Sequence, residues 1–445
     1  MTGTSTPDRR LVVLVRADPV ICGHSGEARN LAEAALLRGF DDVRILTWPL
    51  EALQAAGLPL KPLDALLPYS PGITVERPDP VGDNRVPDGR YIAGLTGRLV
   101  ELLAEGVPTV VLSMYLTPHT DVVVQAVAGA RAAGFAPDVR TMAKAVGSDI
   151  TNVVSNALRT GNWGAAALVL STYLQNDDLL AVSDFTKEEV VRWAEQVDAR
   201  SGTRFAAELT ERVRISYPPI DTSAFLDLDP AAVDAALTAR GLERDGYVLF
   251  LSRITRAKGV DDLISAYRAS RASATKKLVI AGAGNAVEAA RAQIAEVPGD
   301  DERILLLTDV SDAEKPLLMR GCAAYALPTK PVPEFVETFG IALTEKMLAG
   351  GGPVITTIVG GTGEAVGDTA LVVEPGDVAG LTAMIDRAVL DMDEVERLEL
   401  EQRAREHALR FDRVRVFDEM LPAEPAVALP GEHRVVELPR EGAPL

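Results

Sequence analysis

The sequence predicts an α/β protein built from two doubly wound domains that face a central cleft. Three observations lead there. Short, β-branched apolar runs occur without alternation, as in strands buried on both faces of a parallel sheet. Helical spacing fills the gaps between them. The same rhythm restarts halfway along the 445 residues, which is itself a length for two or three domains.

The first run is Leu11–Val15. A glycine-containing loop, Cys22-Gly-His-Ser-Gly26, leads to helical spacing over Glu27–Leu37 that stops at Gly39. Strands follow at Asp42–Thr47 and Gly72–Val75, a helix over Gly94–Leu103, a strand at Pro108–Ser113, a helix over about 121–133 and a strand beginning at Val139. In the second half, Tyr247–Ser252, Lys277–Ala281, Ile304–Leu307, Ala323–Leu327 and Pro353–Thr356 read as strands with helices between them. The alternation argues for a doubly wound architecture in each half. Tyr217-Pro-Pro-Ile220 marks the boundary, because paired prolines break regular structure. The expected units are 1–218, 219–400, a C-terminal helix over 401–421 that packs back on the first domain, and an irregular, proline-dotted tail over 422–445.

Composition excludes several classes. With 45 Lys and Arg against 64 Asp and Glu, the net charge is −19. Such a chain does not suit a phosphate backbone or broad adhesion to anionic lipid. No nucleic-acid partner and no stable membrane association are therefore expected. The two cysteines, Cys22 and Cys322, stand in no metal or redox spacing, which fits a reducing compartment. No apolar run approaches the roughly 18 residues of a membrane span, and residues 1–8 carry no apolar signal core. A soluble, cytoplasmic protein is expected, of unknown oligomeric state.

In open parallel sheets, ligands sit outside the carboxyl ends of the strands. Gly23, His24 and Ser25 follow the first strand, Tyr115 and His119 follow Pro108–Ser113, and Gly147, Ser148 and Asp149 follow the strand at Val139. Arg253 and Lys258 follow Tyr247–Ser252 and suit a diphosphate, one as a fork and one as a point charge. In Pro333-Glu-Phe-Val-Glu-Thr-Phe-Gly-Ile-Ala-Leu-Thr-Glu345, Gly340 opens a helix whose N-terminus is ready for phosphate. Glu337 stands just before it, either as a cap or as a hydroxyl-binding group. Glu345 lies inside the helix, where no cap is needed, and suits hydroxyls. Gly282-Ala-Gly284 hints at a dinucleotide fingerprint, but its third glycine position is Val287.

Together these segments resemble the retaining glycosyltransferases of the GT4 family, which have the GT-B fold of two Rossmann-like domains. The resemblance rests on Ser252-Arg-Ile-Thr-Arg-Ala-Lys-Gly259, Leu278-Val-Ile-Ala-Gly-Ala-Gly284 and Glu337-Thr-Phe-Gly-Ile-Ala-Leu-Thr-Glu345. Gly352-Pro-Val-Ile355, Gly360-Gly-Thr-Gly-Glu364 and Val373-Glu-Pro-Gly-Asp377 extend it through the second half.

It implies that Arg253 and Lys258 hold a donor diphosphate, Glu345 the ribose and Glu337 the sugar hydroxyls. Thr338 and the backbone of Phe339, Gly340 and Ile341 lie beside them. Gly23 lets the first loop approach the phosphates, and Val310, in the loop after Leu307, lies by the base. No cofactor or metal is required, and the donor is a nucleotide-diphosphate sugar, GDP or UDP. The first domain departs from the pattern. Ser113 and Tyr115 stand where many relatives have a His-x-His pair, and Val146-Gly-Ser-Asp149 where many have His-Gly-x-Asp. His119 is either a functional substitute or a packing histidine. Ser25 falls where relatives that glycosylate inositol phosphate carry asparagine.

The implied acceptor is small and soluble, inositol-phosphate-like or a secondary-metabolite intermediate of thiol or amino-sugar type, and is held by His24, Ser25, Tyr115, His119 and Asp149. Abundant Arg and Ala suit a GC-rich genome such as an actinomycete's. A phosphorylase, epimerase or pseudo-sugar coupling enzyme on the same frame is the alternative.

Overall fold

A computed structural model describes residues 7–82, 87–147, 149–333 and 335–422. All but the first residue of the tail expected over 422–445, and Ser148, lie outside the described residues.

The first sheet has seven parallel strands: β1 (Arg10–Leu14), β2 (Asp42–Leu46), β3 (Ile73–Glu76), β4 (Thr109–Met114), β5 (Val139–Ala145), β6 (Asp178–Ala181) and β7 (Val213–Ile215). Their order is β3-β2-β1-β4-β5-β6-β7. The second sheet has six: β8 (Tyr247–Leu251), β9 (Lys277–Ala281), β10 (Ile304–Leu307), β11 (Ala324–Leu327), β12 (Val354–Thr357) and β13 (Leu371–Val373). Their order is β10-β9-β8-β11-β12-β13. Leu11 pairs with both Val43 and Val110, so β1 is central. All five of its residues are buried, as unalternating runs require.

Strand order reverses between β1 and β4 in one sheet and between β8 and β11 in the other. Those two reversals mark where each sheet opens a crevice at its carboxyl edge. The segments leaving them are Arg16–Gly23 and Tyr115–Thr117 in the first domain, and Arg253–Lys258 and Pro328–Lys330 in the second.

Helix starts differ from the sequence reading in two informative places. The helix after β1 spans Gly23–Leu37, so the loop expected at Gly23–Gly26 is its first turn. The helix after β4 spans His119–Ala132, which puts His119 at its first residue.

The chain passes between domains at Tyr217–Ile220 and again at Phe411–Arg413. The two passages are joined, Ile220 N–H donating to the Phe411 carbonyl at 2.8 Å and Arg413 N–H to the Ile220 carbonyl at 2.9 Å. Tyr217, Phe339 and Phe411 stack their ring edges around this junction. The helix Glu394–Ala408 packs on the second domain's helix Ile341–Ala349, so residues 401–408 do not cross. The crossing element is the shorter helix Arg413–Met420, which packs against Gly23–Leu37. Its Phe417 and Met420, with Leu421, belong to the first domain's core, and Asp418 accepts from Nε and Nη2 of Arg38, each at 2.6 Å.

Candidate active site

Two helix N-termini, one from each domain, meet in the cleft. Gly23–Leu37 begins after Cys22 and Ile341–Ala349 after Gly340, and neither has a side-chain cap. A Cβ placed on Gly23 lies 3.1 Å from Cδ1 of Ile341, so only a residue without a side chain fits there at leisure. Each terminus offers free N–H groups and a partial positive charge. Opposed across a cleft, they favour an anion with oxygens on both sides.

The closing of the cleft is tightest at Gly147. Its φ is +110°, in the region that favours glycine, and an added Cβ lies 2.1 Å from Cγ2 of Thr338. Thr338 Oγ1 donates to the Val146 carbonyl at 3.3 Å across the same gap. On the far side, Glu364 accepts the N–H groups of Asp184 and Phe185 at 2.8 and 3.1 Å. It thereby caps the first domain's helix Asp184–Ser201 from the second domain.

Of the expected donor residues, Arg253 is exposed at the cleft edge, its guanidinium 5.7 Å from the Phe335 ring centre. Lys258 is buried, stands equally close to Phe335 and donates to Glu337 Oε2. The cation expected on the diphosphate and the carboxylate expected on the sugar thus hold each other in this state. Phe339 is buried in the interdomain aromatic group, which leaves its backbone for a ligand. Ile341 and Val310 are half-buried against the second domain's core.

Glu345 is half-buried, and burial pushes its carboxyl up, against the opposing pull of Lys315. Lys315 is itself bound to Asp312 at 2.6 Å. Asp312 takes a second cation, Lys61, at 2.6 Å. Burial raises the Asp312 carboxyl, but Lys315 and Lys61 outweigh it and hold it at about 2. Lys61 comes from the first domain and went unnoticed in the sequence, where it sits in a loop with no motif.

The first domain's expected residues divide. His24 and Tyr115 meet, with ring centres 4.8 Å apart, and Arg16 donates to the Tyr115 hydroxyl and lies over its ring. Arg16 was also missed; its position directly after the first strand was the available signal.

Three expectations are corrected. His119 is buried, with Nδ1 at 2.7 Å from the Met114 carbonyl and Nε2 accepting from Trp48 Nε1 at 3.0 Å. Burial lowers it to about 4, so it is a neutral packing histidine with both nitrogens occupied. Asp149 is buried and accepts N–H groups from Leu116, Gly147 and Ile150 at 2.9 to 3.1 Å. It ties two cleft loops together rather than facing an acceptor, and burial raises its carboxyl. Ser25 is buried and donates to the Arg16 carbonyl at 3.0 Å, which turns its hydroxyl away from the cleft.

Residues 239–407 match the family model described as glycosyl transferases group 1. The O-antigen chain mannosyltransferase B of Escherichia coli is 26% identical over 215 residues, 48% of this chain and 51% of that protein. Glycogen synthase of Mycobacterium tuberculosis is 34% identical over 151 residues, 32% of this chain and 34% of that protein. The chain thus spans about half the length of one curated relative and a third of the other.

Among solved structures, Anabaena HepE in complex with UDP and glucose superposes with a TM-score of 0.65 at 17% identity, covering 92% of this chain and 97% of that one. Sucrose-phosphate synthase of Thermosynechococcus elongatus does so at 0.65 and 18%, covering 93% and 97%. Among the described residues no helix is long and apolar enough to cross a membrane. The chain has the GT-B fold, and its residues 239–407 are similar to the group 1 glycosyl transferases.

Proposed function

We propose that the protein is a retaining glycosyltransferase that moves a sugar from UDP- or GDP-linked donor to a small soluble acceptor. The observation that carries this reading is the pair of uncapped helix N-termini meeting at Gly23 and Ile341, with Lys258 bound to Glu337 just ahead of Gly340 and Arg253 beside the same Phe335 ring. A diphosphate bridging these ends is stabilised from both domains at once. Arg253 and Lys258 take its charge as it builds, which is where transfer needs help. Glu345 holds the ribose, and Thr338 with the backbone of 339–341 lines the phosphates.

Lys258 then exchanges Glu337 for phosphate oxygen, and the released Glu337 accepts from hydroxyls of the transferred sugar. The loop after β10, with Val310, holds the base through backbone groups. The acceptor hydroxyl attacks the anomeric carbon from the face the diphosphate leaves. The carbon–oxygen bond to phosphate breaks, the new glycosidic bond forms, and the departing phosphate oxygen takes the acceptor proton. Orientation and leaving-group stabilisation suffice. The crystal complex of HepE, which has the same fold, holds UDP and glucose, in keeping with a nucleotide-sugar donor. The acceptor of closest chemistry is an inositol-phosphate-like polyol or a secondary-metabolite intermediate.

Thermal-shift titration with UDP, GDP, ADP, CDP and dTDP tests the donor site on the wild type and on Glu345→Ala. One nucleotide is expected to stabilise the wild type by roughly 2–3 kcal/mol near a hundred times its dissociation constant, and the variant to lose that response. Failure of every nucleotide overturns the reading.

A further inference from the structure

The most unusual polar cluster outside the donor residues lies under the acceptor side of the cleft. Lys144 on β5 and Glu27 on the helix Gly23–Leu37 are both fully buried and bound to each other through Glu27 Oε1. A buried ion pair is seldom kept for stability, since apolar replacement is commonly neutral or stabilising. The other carboxylate oxygen, Oε2, stands 3.8 Å from Nδ1 of His24, one turn back on the same helix. Nδ1 is sealed from solvent and makes no hydrogen bond.

The His24 side chain keeps 21% of its surface exposed although its Nδ1 is sealed. It lies beside Tyr115, in the same first turn as Gly23, where the two domains meet. The groups facing His24 are Glu27 on its own helix and the Arg16–Tyr115 pair from the loops after β1 and β4. Asp149 and His119 stand farther off.

These contacts define a chain of command. Burial pushes the Glu27 carboxyl up, and Lys144, followed by His24, outweighs it, so Glu27 stays ionised. An ionised carboxylate accepts and cannot donate. The group facing Oε2 is His24 Nδ1, and a proton held there meets the carboxylate. That assigns the neutral tautomer and leaves a lone pair on Nε2. The 3.8 Å separation shortens to a hydrogen bond by a small rotation of either side chain, as open sites commonly do when substrate arrives.

We propose that Glu27, held in place by the buried Lys144, fixes His24 in the Nδ1–H tautomer so that Nε2 accepts a hydrogen bond from an acceptor hydroxyl neighbouring the attacking one. His24 then touches substrate, and Glu27 and Lys144 are positioning residues. The role rests on the glycosyl-transfer reading above. It requires no proton to leave the site through His24: the imidazole aims the acceptor through the neighbouring hydroxyl, and the single proton of the attacking hydroxyl goes to the leaving phosphate. It also supplies, from the first helix, the imidazole that the sequence suggested at His119.

Long-range proton–nitrogen NMR of the full chain reads the tautomer directly. Only four histidines are present, and loss of one imidazole pattern in His24→Gln assigns the signal. At pH 8 the wild type is expected to carry the His24 proton on Nδ1, with Nε2 bare. In Glu27→Met/Lys144→Met, an apolar replacement of the pair, the proton is expected to move to Nε2. KM for the acceptor is then expected to rise by about tenfold while the dissociation constant of the donor nucleotide is unchanged.

A wild-type His24 carrying its proton on Nε2 overturns the proposal, and that measurement needs no variant of the pair to fold. So does a double variant with the wild-type tautomer, or with unchanged acceptor KM. A wild type that binds no nucleotide sinks the transfer reading and the acceptor role together. In that case an Nδ1–H tautomer still shows that the Glu27 contact exists, which separates the two failures.

Discussion

Gly147→Ala is the sharpest mechanical test of the closed cleft. An alanine Cβ there lies 2.1 Å from Thr338 Cγ2, against the 3.4 Å at which ordinary contact begins. The shortfall is 3.4 − 2.1 = 1.3 Å, and Thr338 is bound to the Val146 carbonyl, so the methyl has little room to swing. The domains must part by a comparable distance at this point. Misplacing reacting groups by about 1 Å can cost roughly a hundredfold in rate. The φ of +110° adds strain of about 1–3 kcal/mol, a fall in melting temperature on the order of 3–10 °C.

The two effects separate in a double variant. Thr338→Ser removes Cγ2 and keeps the hydroxyl bond, which leaves nearest approaches of 3.0 Å to Cβ and 3.2 Å to Oγ1. Gly147→Ala/Thr338→Ser is therefore expected to regain most of the activity while staying as unstable as Gly147→Ala. Steady-state kinetics and calorimetry on the four proteins decide it. Full activity in Gly147→Ala, or no recovery in the double variant, refutes the account of closure.

Lys258→Ala should keep its fold by circular dichroism and lose at least about tenfold in transfer, since one of two cations is removed from the leaving group; near-normal turnover contradicts its role. Lys61→Met breaks the interdomain pair with Asp312, but both groups are partly exposed, so the free energy of unfolding should fall by no more than about 1 kcal/mol. A larger loss means that this pair carries the closed state. His119 has its pKa lowered from 6.5 to about 4 by burial. The unfolded chain therefore binds the extra proton first, and the stability tied to neutral His119 is complete above pH 6.5 and lost as pH falls towards 4. Wild type minus His119→Gln should show this as a difference of about 3 kcal/mol across that window. Parallel stability curves for the two proteins count against a buried neutral imidazole.

The fold was legible where strands were long enough to show their character. Leu11–Val15 and Tyr247–Ser252 announce buried parallel strands because β-branched and large apolar residues occupy consecutive positions. β6, β7 and β13 escaped notice: β7 and β13 have three residues and β6 begins with Asp178, so none spans four apolar residues as β10 and β11 do. Their place depends on pairing with a neighbouring strand, as Leu179 pairs with Val213.

The donor segment was legible because Glu337 through Glu345 lie together on the page and on one helix start. The Lys258–Glu337 contact joins residues 79 apart and has no local trace. Polar residues at strand ends were the weakest guide. His119, Asp149 and Ser25 satisfy backbone groups and a distant Trp48 instead of a ligand. Which way such a side chain turns depends on orphan N–H and carbonyl groups created only by the folded loops. Glu27 and Lys144 show the converse, since a charged residue in an apolar stretch gives no hint of a buried partner on another element.

The paired passages at Tyr217–Ile220 and Phe411–Arg413 have a consequence for synthesis. The first domain is translated first, yet its core is missing Phe417, Met420 and Leu421 until the last described helix has been made. On the ribosome, the second domain can therefore complete its apolar packing while the first still waits for its closing piece. Final docking of Arg413–Met420 then acts as a checkpoint: the cleft is formed only in chains translated through to that helix, and a prematurely terminated product carries an unfinished first domain for quality control to recognise.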